Sequence, residues 1–401
     1  MGGTGGIGAP PICLIDSYGN CMYPGGSQCT STGYCCTRSA DRCCDATGRC
    51  SAPLPPPPPW VPPVAAADVG AAGWKNSTDP LCVKNQSYNY LMSVWSDSRG
   101  VFVATVTSGP DGSAMQPYDP MCPGCSQEPI YFNGGDGWEL VAGTPYYGQQ
   151  KMKGFEGGAL VLYGSTQQVK MPNALCGLSL LSNGMFACEP VDGVSDVATV
   201  SSTLAYAVLQ GDLVRYDGSH WGPLTAVLPG QHELMSVWAD ATVAMATGSS
   251  AGKIYTLRDN AWKLEDTRTL DTFTSIWGFS PTDVWAGTQQ EHLFHYDGNM
   301  WQQVSWPGSG CSQVSGISSM WGSGSVLYFA TPTSLARWNG TKVDVLTQWD
   351  CNDPQGAPTI SGLYGNSPAD VFVGIADGRP PMQPCGMTYV LYYDGTKFHR
   401  I

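Results

Sequence analysis

The chain has 401 residues, 19 Lys plus Arg against 32 Asp plus Glu, and a net charge of −13 with only 13% charged residues. So acidic a surface cannot follow a phosphate backbone, which excludes nucleic acid as a partner and disfavours an anionic membrane surface. Fifty Gly, 31 Pro, 14 Trp and 19 Tyr suit an all-β chain with many tight turns and argue against helical bundles and dinucleotide-binding folds, and no apolar run is long enough to predict a transmembrane segment.

Residues 1–12 are Gly-rich and read as a flexible tether. Their opening has neither the basic start nor the apolar stretch of a signal peptide, and Gly6 stands where a myristoylation signal wants Ser or Thr. Residues 13–51 hold eight cysteines: Cys13, Cys21, Cys29, Cys35, Cys36, Cys43, Cys44 and Cys50. A segment this short cannot bury enough apolar surface to fold unaided, so cross-links must replace the missing core. Zinc is the competing reading. The module has no His and no paired Cys-x-x-Cys knuckles, which favours four disulfides with their pairing open. Such density implies an oxidising, extracellular or outer-surface location. Residues 52–73 form a Pro/Ala-rich linker. Within it, residues 53–63 predict a stiff polyproline II rod of roughly 30 Å, at about 3.1 Å per residue. The rod reads as a spacer or, through Trp60, as a docking arm.

From about residue 90 a pattern recurs. Its best copy is Ser275-Ile276-Trp277-Gly278, Asp283-Val284-Trp285-Ala286-Gly287, His295-Tyr296-Asp297-Gly298 and Trp301. Closing aromatics fall at Trp138, Trp221, Trp262, Trp301 and Phe398, with Val343 in the same slot. The wide interval from Trp138 to Trp221 holds two periods, so a degenerate unit containing Phe155, Ala159 to Tyr163 and Val169 is expected there. Each unit offers four short β-rich runs, with Asp-Gly or a variant at a tight hairpin between the third and fourth. A four-stranded sheet repeated every 40 to 45 residues is the signature of a propeller blade. The expectation for residues 74–401 is a seven-bladed β-propeller, and the first-strand Trp side chains are expected to pack between blades.

Ser-Ile-Trp-Gly, Ser-Pro-x-Asp-Val-Trp-Ala and His-Tyr-Asp-Gly-x-x-Trp, at residues 275–278, 280–286 and 295–301, resemble the repeats of secreted propeller proteins of myxobacteria and related predatory bacteria. The resemblance covers roughly residues 90–401 and implies architecture rather than activity. The Asp-Gly-x-x-Trp turn is also similar to the Asp-box of sialidase-type propellers, but lacks the residue that motif has between Asp and Gly. Cys35-Cys36, Cys43-Cys44 and Gly48-Arg49-Cys50 resemble granulin-like Cys-pair modules.

In a propeller, the loops joining strands two and three share a face with those joining successive blades. The long loops of this kind carry Tyr118 and Asp119, Trp306, Trp349 and Asp350, and Arg379, and they are expected to fall on one sector of that face. Cys311 and Cys351 lie in adjacent inter-blade loops and are candidates to pair. Cys82 with Cys385 would staple the ring closure, and Cys122–Cys125 and Cys176–Cys188 are further candidate pairs.

No catalytic residue is assigned. His292 and His295 are three apart on an expected strand and point to opposite faces, so they cannot share a metal. There is no Gly-x-Ser-x-Gly elbow. Arg215, Arg258 and Arg337 recur at one repeat position, as outer-strand residues would. Cys122-Pro123-Gly124-Cys125 is a lone Cys-x-x-Cys, and turn chemistry accounts for the recurrent Asp217, Asp259, Asp297 and Asp394, so neither metal nor cofactor is expected. The reading is an extracellular or cell-surface binding or adhesion protein whose loops take a carbohydrate or protein ligand. Two alternatives stand beside it. One is a structural subunit whose N-terminal module and arm dock head to tail on the next propeller, giving a fibre. The other is a secreted hydrolase or lyase.

Overall fold

The computed structural model describes residues 89–107, 128–135, 137–144, 150–154, 160–164, 178–182, 185–189, 193–226, 228, 233–311, 316–353, 357–376 and 389–401, with five short strands between residues 14 and 44. The chain divides into two compact units, Met1–Val61 and Pro62–Ile401. In the first, Leu14–Ile15, Cys21–Met22 and Gln28–Cys29 form a three-stranded antiparallel sheet, and Cys35–Thr37 pairs with Arg42–Cys44. The linker, with Trp60, lies outside the described residues.

The second unit is a β-propeller. Six four-stranded blades carry the repeat: blade I over residues 89–144, II over 194–223, III over 234–264, IV over 273–304, V over 319–348 and VI over 359–400. Each is an antiparallel meander, as in blade IV, where Phe273–Ser280 pairs with Asp283–Thr288, then Leu293–Tyr296, then Trp301–Val304. The first strands touch in succession around an axis, and that of blade VI returns to that of blade I.

The expected seven-bladed ring is corrected to six blades that carry the repeat. The stretch between blades I and II forms a four-stranded sheet, Gln150–Gly154, Leu160–Gly164, Leu178–Ser182 and Met185–Glu189. It contains no Trp and no Tyr-Asp-Gly turn. Of the residues expected there, Leu160 to Tyr163 fall in the second strand, whereas Phe155, Ala159 and Val169 lie outside the described residues. Its first strand still touches those of blades I and II, so it sits between them around the axis as an irregular member.

Local chemistry explains the repeat turns. The Oδ1 of Asp297 accepts from the amides of Asn299 and Met300, both at 2.9 Å, and Gly298 takes φ +88°, a conformation that side-chain-bearing residues resist. Asp217, Asn339 and Asp394 make the same turn. Blade III instead uses a two-residue hairpin between Arg258 and Ala261, with φ of 50° at Asp259 and 59° at Asn260.

The core lies between neighbouring sheets. Trp238, Val243 and Met245 of blade III pack on Phe273, Ile276 and Trp301 of blade IV. Leu91, Val94 and Val103 of blade I pack on Phe372, Val390 and Tyr392 of blade VI and close the ring. A fully buried Phe such as Phe329 or Phe372 contributes about 1.5–3 kcal/mol by leaving water. The first-strand Trp fixes how closely blades approach, because the residue beneath it is Gly. A Cβ built on Gly278 would lie 2.6 Å from the Trp238 ring, and one on Gly154 would lie 2.5 Å from Trp95.

Candidate functional site

The alternation of antiparallel strands puts two kinds of connection on each face. One face carries the turns after first and third strands, which are short. The other carries the connections after second strands and between blades, among them residues 108–127, 305–318, 349–358 and 377–388. On this second face the described residues form a braced rim across blades IV, V and VI.

The brace begins at Glu291, in the turn after the second strand of blade IV. Its backbone holds φ +62° and its carboxylate is buried. Oε2 accepts from the amide of Ser309 at 2.9 Å and Oε1 from the Ser309 hydroxyl at 2.8 Å, with Ser309 itself fully buried. The Glu291 carbonyl accepts from Trp306 Nε1 at 2.7 Å. From the next connection, the Gln348 side-chain amide donates to the Ser309 carbonyl, and the Trp349 amide donates to the Thr333 carbonyl at 2.9 Å. A disulfide joins Cys311 to Cys351, with Cα atoms 5.9 Å apart.

These contacts define what the expected ligand residues do. Trp306 is half-buried, edge-on to Phe329 at 5.1 Å, and anchors its loop. Trp349 is likewise half-buried, against the core between blades V and VI. Asp350 is exposed, and its carboxylate accepts from the Asn352 amide at 2.9 Å. Tyr118, Asp119, Arg379, Cys82, Cys122, Cys125, Cys176 and Cys385 lie outside the described residues, and Cys188 is described only as part of a strand. Sequence reasoning missed Leu270, in the connection between blades III and IV on the same face, whose side chain is 87% exposed.

The titratable groups on the two faces have separate partners. His292 Nδ1 lies 2.5 Å from Asp271, whereas His295 Nε2 lies 2.8 Å from Asp283 and its ring stacks on Trp285. Arg215 and Arg258 are exposed on third strands, and Arg337 reaches Tyr393 of blade VI. Among the described residues, no group of three His, Cys, Asp or Glu is close enough to hold a metal, and no helix is long and apolar enough to cross a membrane.

A second feature opens at the axis, on the face of short turns. A cavity of about 580 Å³ is lined by the ends of four first strands, including Trp95 and Ser96 of blade I, Thr199 and Ser201 of blade II, and Tyr364 and Asn366 of blade VI. Gly154 of the irregular sheet closes one side, and the neighbouring Lys153 amino group lies 5.9 Å over the Tyr364 ring. Burial pulls the Lys153 pKa below its usual value, which Asp196 opposes. The sequence signal was a break in the pattern. Blades I, III, IV and V have Trp on the first strand and VI has Tyr364, but blade II has Ala198.

No protein-family description matches the chain, and no curated protein does so either. The fold does find solved neighbours. "YCF48 bound to D1 peptide" superposes with a TM-score of 0.50 at 13% identity, covering 79% of this chain and 99% of that one. YCF48 from Cyanidioschyzon merolae gives 0.50 at 12%, covering 78% and 97%. The extracellular domain of the putative one-component system BT4673 from B. thetaiotaomicron gives 0.42 at 11%, covering 82% of this chain and 35% of that one. At these identities the likeness establishes the β-propeller fold and nothing finer.

Proposed function

We propose that the chain is an extracytoplasmic binding protein whose propeller presents the braced rim to a protein ligand. The observation that carries this reading is the contrast between the faces. Ring closure needs only short turns, yet one face carries long connections, and three of their elements are tied together by the Cys311–Cys351 bond, the buried Glu291–Ser309 pair and Gln348. Ordering loops before a ligand arrives reduces the entropy lost on binding. The disulfide supports an oxidising compartment. Leu270, exposed beside these loops, supplies the kind of apolar contact a protein partner buries. The YCF48 neighbour, described as bound to a peptide, supports the same use of the scaffold.

The test is selection of a random-peptide display library on the intact chain, with a glycan array in parallel. Asp350→Arg and Leu270→Glu change exposed rim side chains without touching the brace. Enriched peptides are expected to bind the unaltered chain and to lose at least about tenfold, near 1.4 kcal/mol, on one or both variants. Peptides indifferent to both changes, or binding of glycans alone at the rim, would overturn the reading.

A further inference from the structure

Among the described residues three large apolar side chains are exposed, Met235, Leu264 and Leu270, at 42%, 52% and 87%. All three stand at the end of blade III that meets the face of long connections. Met235 is in the first strand, whose other residues are buried, so its side chain opens on the axis. Leu264 ends the fourth strand at the periphery, and Leu270 lies in the connection that follows.

That connection has its polarity reversed. Thr267 is buried, and its hydroxyl donates to the Gly252 carbonyl at 2.6 Å. The Asp271 carbonyl accepts from the Gly252 amide at 2.8 Å, and the Thr269 hydroxyl accepts from the Asp271 amide at 3.1 Å. The Asp271 carboxylate meets His292 of blade IV. Polar side chains thus fasten the loop from inside, and Leu270 is left in water. Arg268, two residues earlier, holds φ +54°, a conformation that a residue with a side chain resists. An ordered, strained loop that hides Thr and shows Leu gains nothing from its apolar surface until a partner covers it.

Charge indicates what covers it. Between residues 224 and 272 the sequence has four Lys or Arg. Arg258 is at the hairpin of the other face, and Lys253, Lys263 and Arg268 are ion-paired to Glu233, Glu265 and Asp266. Asp271 adds a further carboxylate, and the whole chain carries −13. A second copy would bring like charge, and so would an anionic membrane. We infer that this face takes a basic amphipathic segment of another protein, with apolar side chains on Leu270 and Met235 and Lys or Arg beside Glu233, Asp266 and Asp271. The inference rests on the rim reading and gives it a class of partner. From first strand to fourth is about 14 Å, which about five extended residues cross.

The experiment selects peptides on the full chain from three display libraries with the same apolar positions. Their polar positions are restricted to Lys and Arg, to Asp and Glu, or to Ser and Gln. Two variants follow, each checked by an unchanged thermal transition. Leu270→Ser shortens the exposed side chain and leaves the ties of its loop in place. Ala251→Lys adds a cation at an exposed position beside Gly252 and takes no hydrogen bond away. Binders are expected from the Lys/Arg library, with affinity at least about tenfold lower on Leu270→Ser and about threefold lower on Ala251→Lys. Their affinity should also fall at least about threefold between about 0.05 and 0.3 M salt. Binders chiefly from the other two libraries, binders indifferent to Leu270→Ser, or binders indifferent to both salt and Ala251→Lys would overturn the inference. If such binders still weaken on Asp350→Arg, the rim reading stands without it. No binder from any library would overturn both.

Discussion

Replacing both Cys311 and Cys351 by Ala tests the brace through the unfolded chain. The two residues are 40 apart in sequence, and closing a loop of that length removes unfolded-state entropy worth about 4 kcal/mol. The folded rim keeps other ties, from Gln348 to Ser309 and from Trp349 to Thr333, so the native connections should hold their path without the sulfur bond. The loss should therefore appear as a lower urea midpoint with little change in near-ultraviolet dichroism. Urea unfolding under non-reducing conditions, paired with non-reducing peptide mapping of the unaltered chain, measures both halves of the expectation. Mapping that joins either cysteine to a different partner would refute the reasoning. So would a double variant as stable as the parent to within about 1 kcal/mol.

Glu291→Ala should cost about 2–4 kcal/mol in the same assay, because it orphans both the amide and the hydroxyl of fully buried Ser309. Glu291→Gly should recover about 1 kcal/mol of that by relieving the left-handed backbone, and an equal loss in both variants would contradict this account. Gly298→Ala and Gly340→Ala form a matched pair, with φ of +88° and +94°. A Cβ at Gly298 lies 2.8 Å from that of Thr282, while one at Gly340 meets nothing within 4 Å. Gly340→Ala should lose about 1–2 kcal/mol and Gly298→Ala more, and the reverse order would rule out crowding as the cause. In acid, the turn carboxylates set the window. The His220 amide and the Ser219 hydroxyl and amide hold Asp217 at about 2, down from the ordinary 3.8. The Thr396 hydroxyl and His399 hold Asp394 lower still. A depressed folded-state value stabilises above the unfolded value and is lost on the way down. Stability should therefore be level above about pH 4 and fall between about 4 and 2, and Asp217→Asn should shrink that fall in an acid titration followed by fluorescence.

Legibility followed the periodicity of the sequence. Trp95, Trp238, Trp277 and Trp321 recur because each is packed against the next sheet, and Asp217, Asp297 and Asp394 recur because each builds a turn. Such residues announce the blades without an alignment. The sheet over 150–189 has neither device, so the interval showed that a further unit lay there without showing where its strands fall. At the rim, a loop Trp reads the same whether it faces a ligand or anchors its own loop. Trp306 proved to be an anchor because its indole N–H reaches the Glu291 carbonyl, a contact fifteen residues away that periodicity does not encode.

A ring of identical blades would offer the same surface in every direction, and a ligand could not single out one sector. Discrimination has to come from departures from the repeat, and this chain departs in two places. One is the brace between blades IV and VI, where a disulfide and a buried carboxylate tie successive connections together. The other is the connection after blade III, which turns Thr267 inward and leaves Leu270 outside. The two meet at blade IV, where His292 follows Glu291 in one turn and reaches Asp271 of that connection. The double cysteine variant keeps Glu291 and its hydrogen bonds to Ser309, so that turn should not move. Its affinity for a segment docked on Leu270 should therefore stay within about twofold of the parent, since coupling requires an element whose two states both changes distinguish.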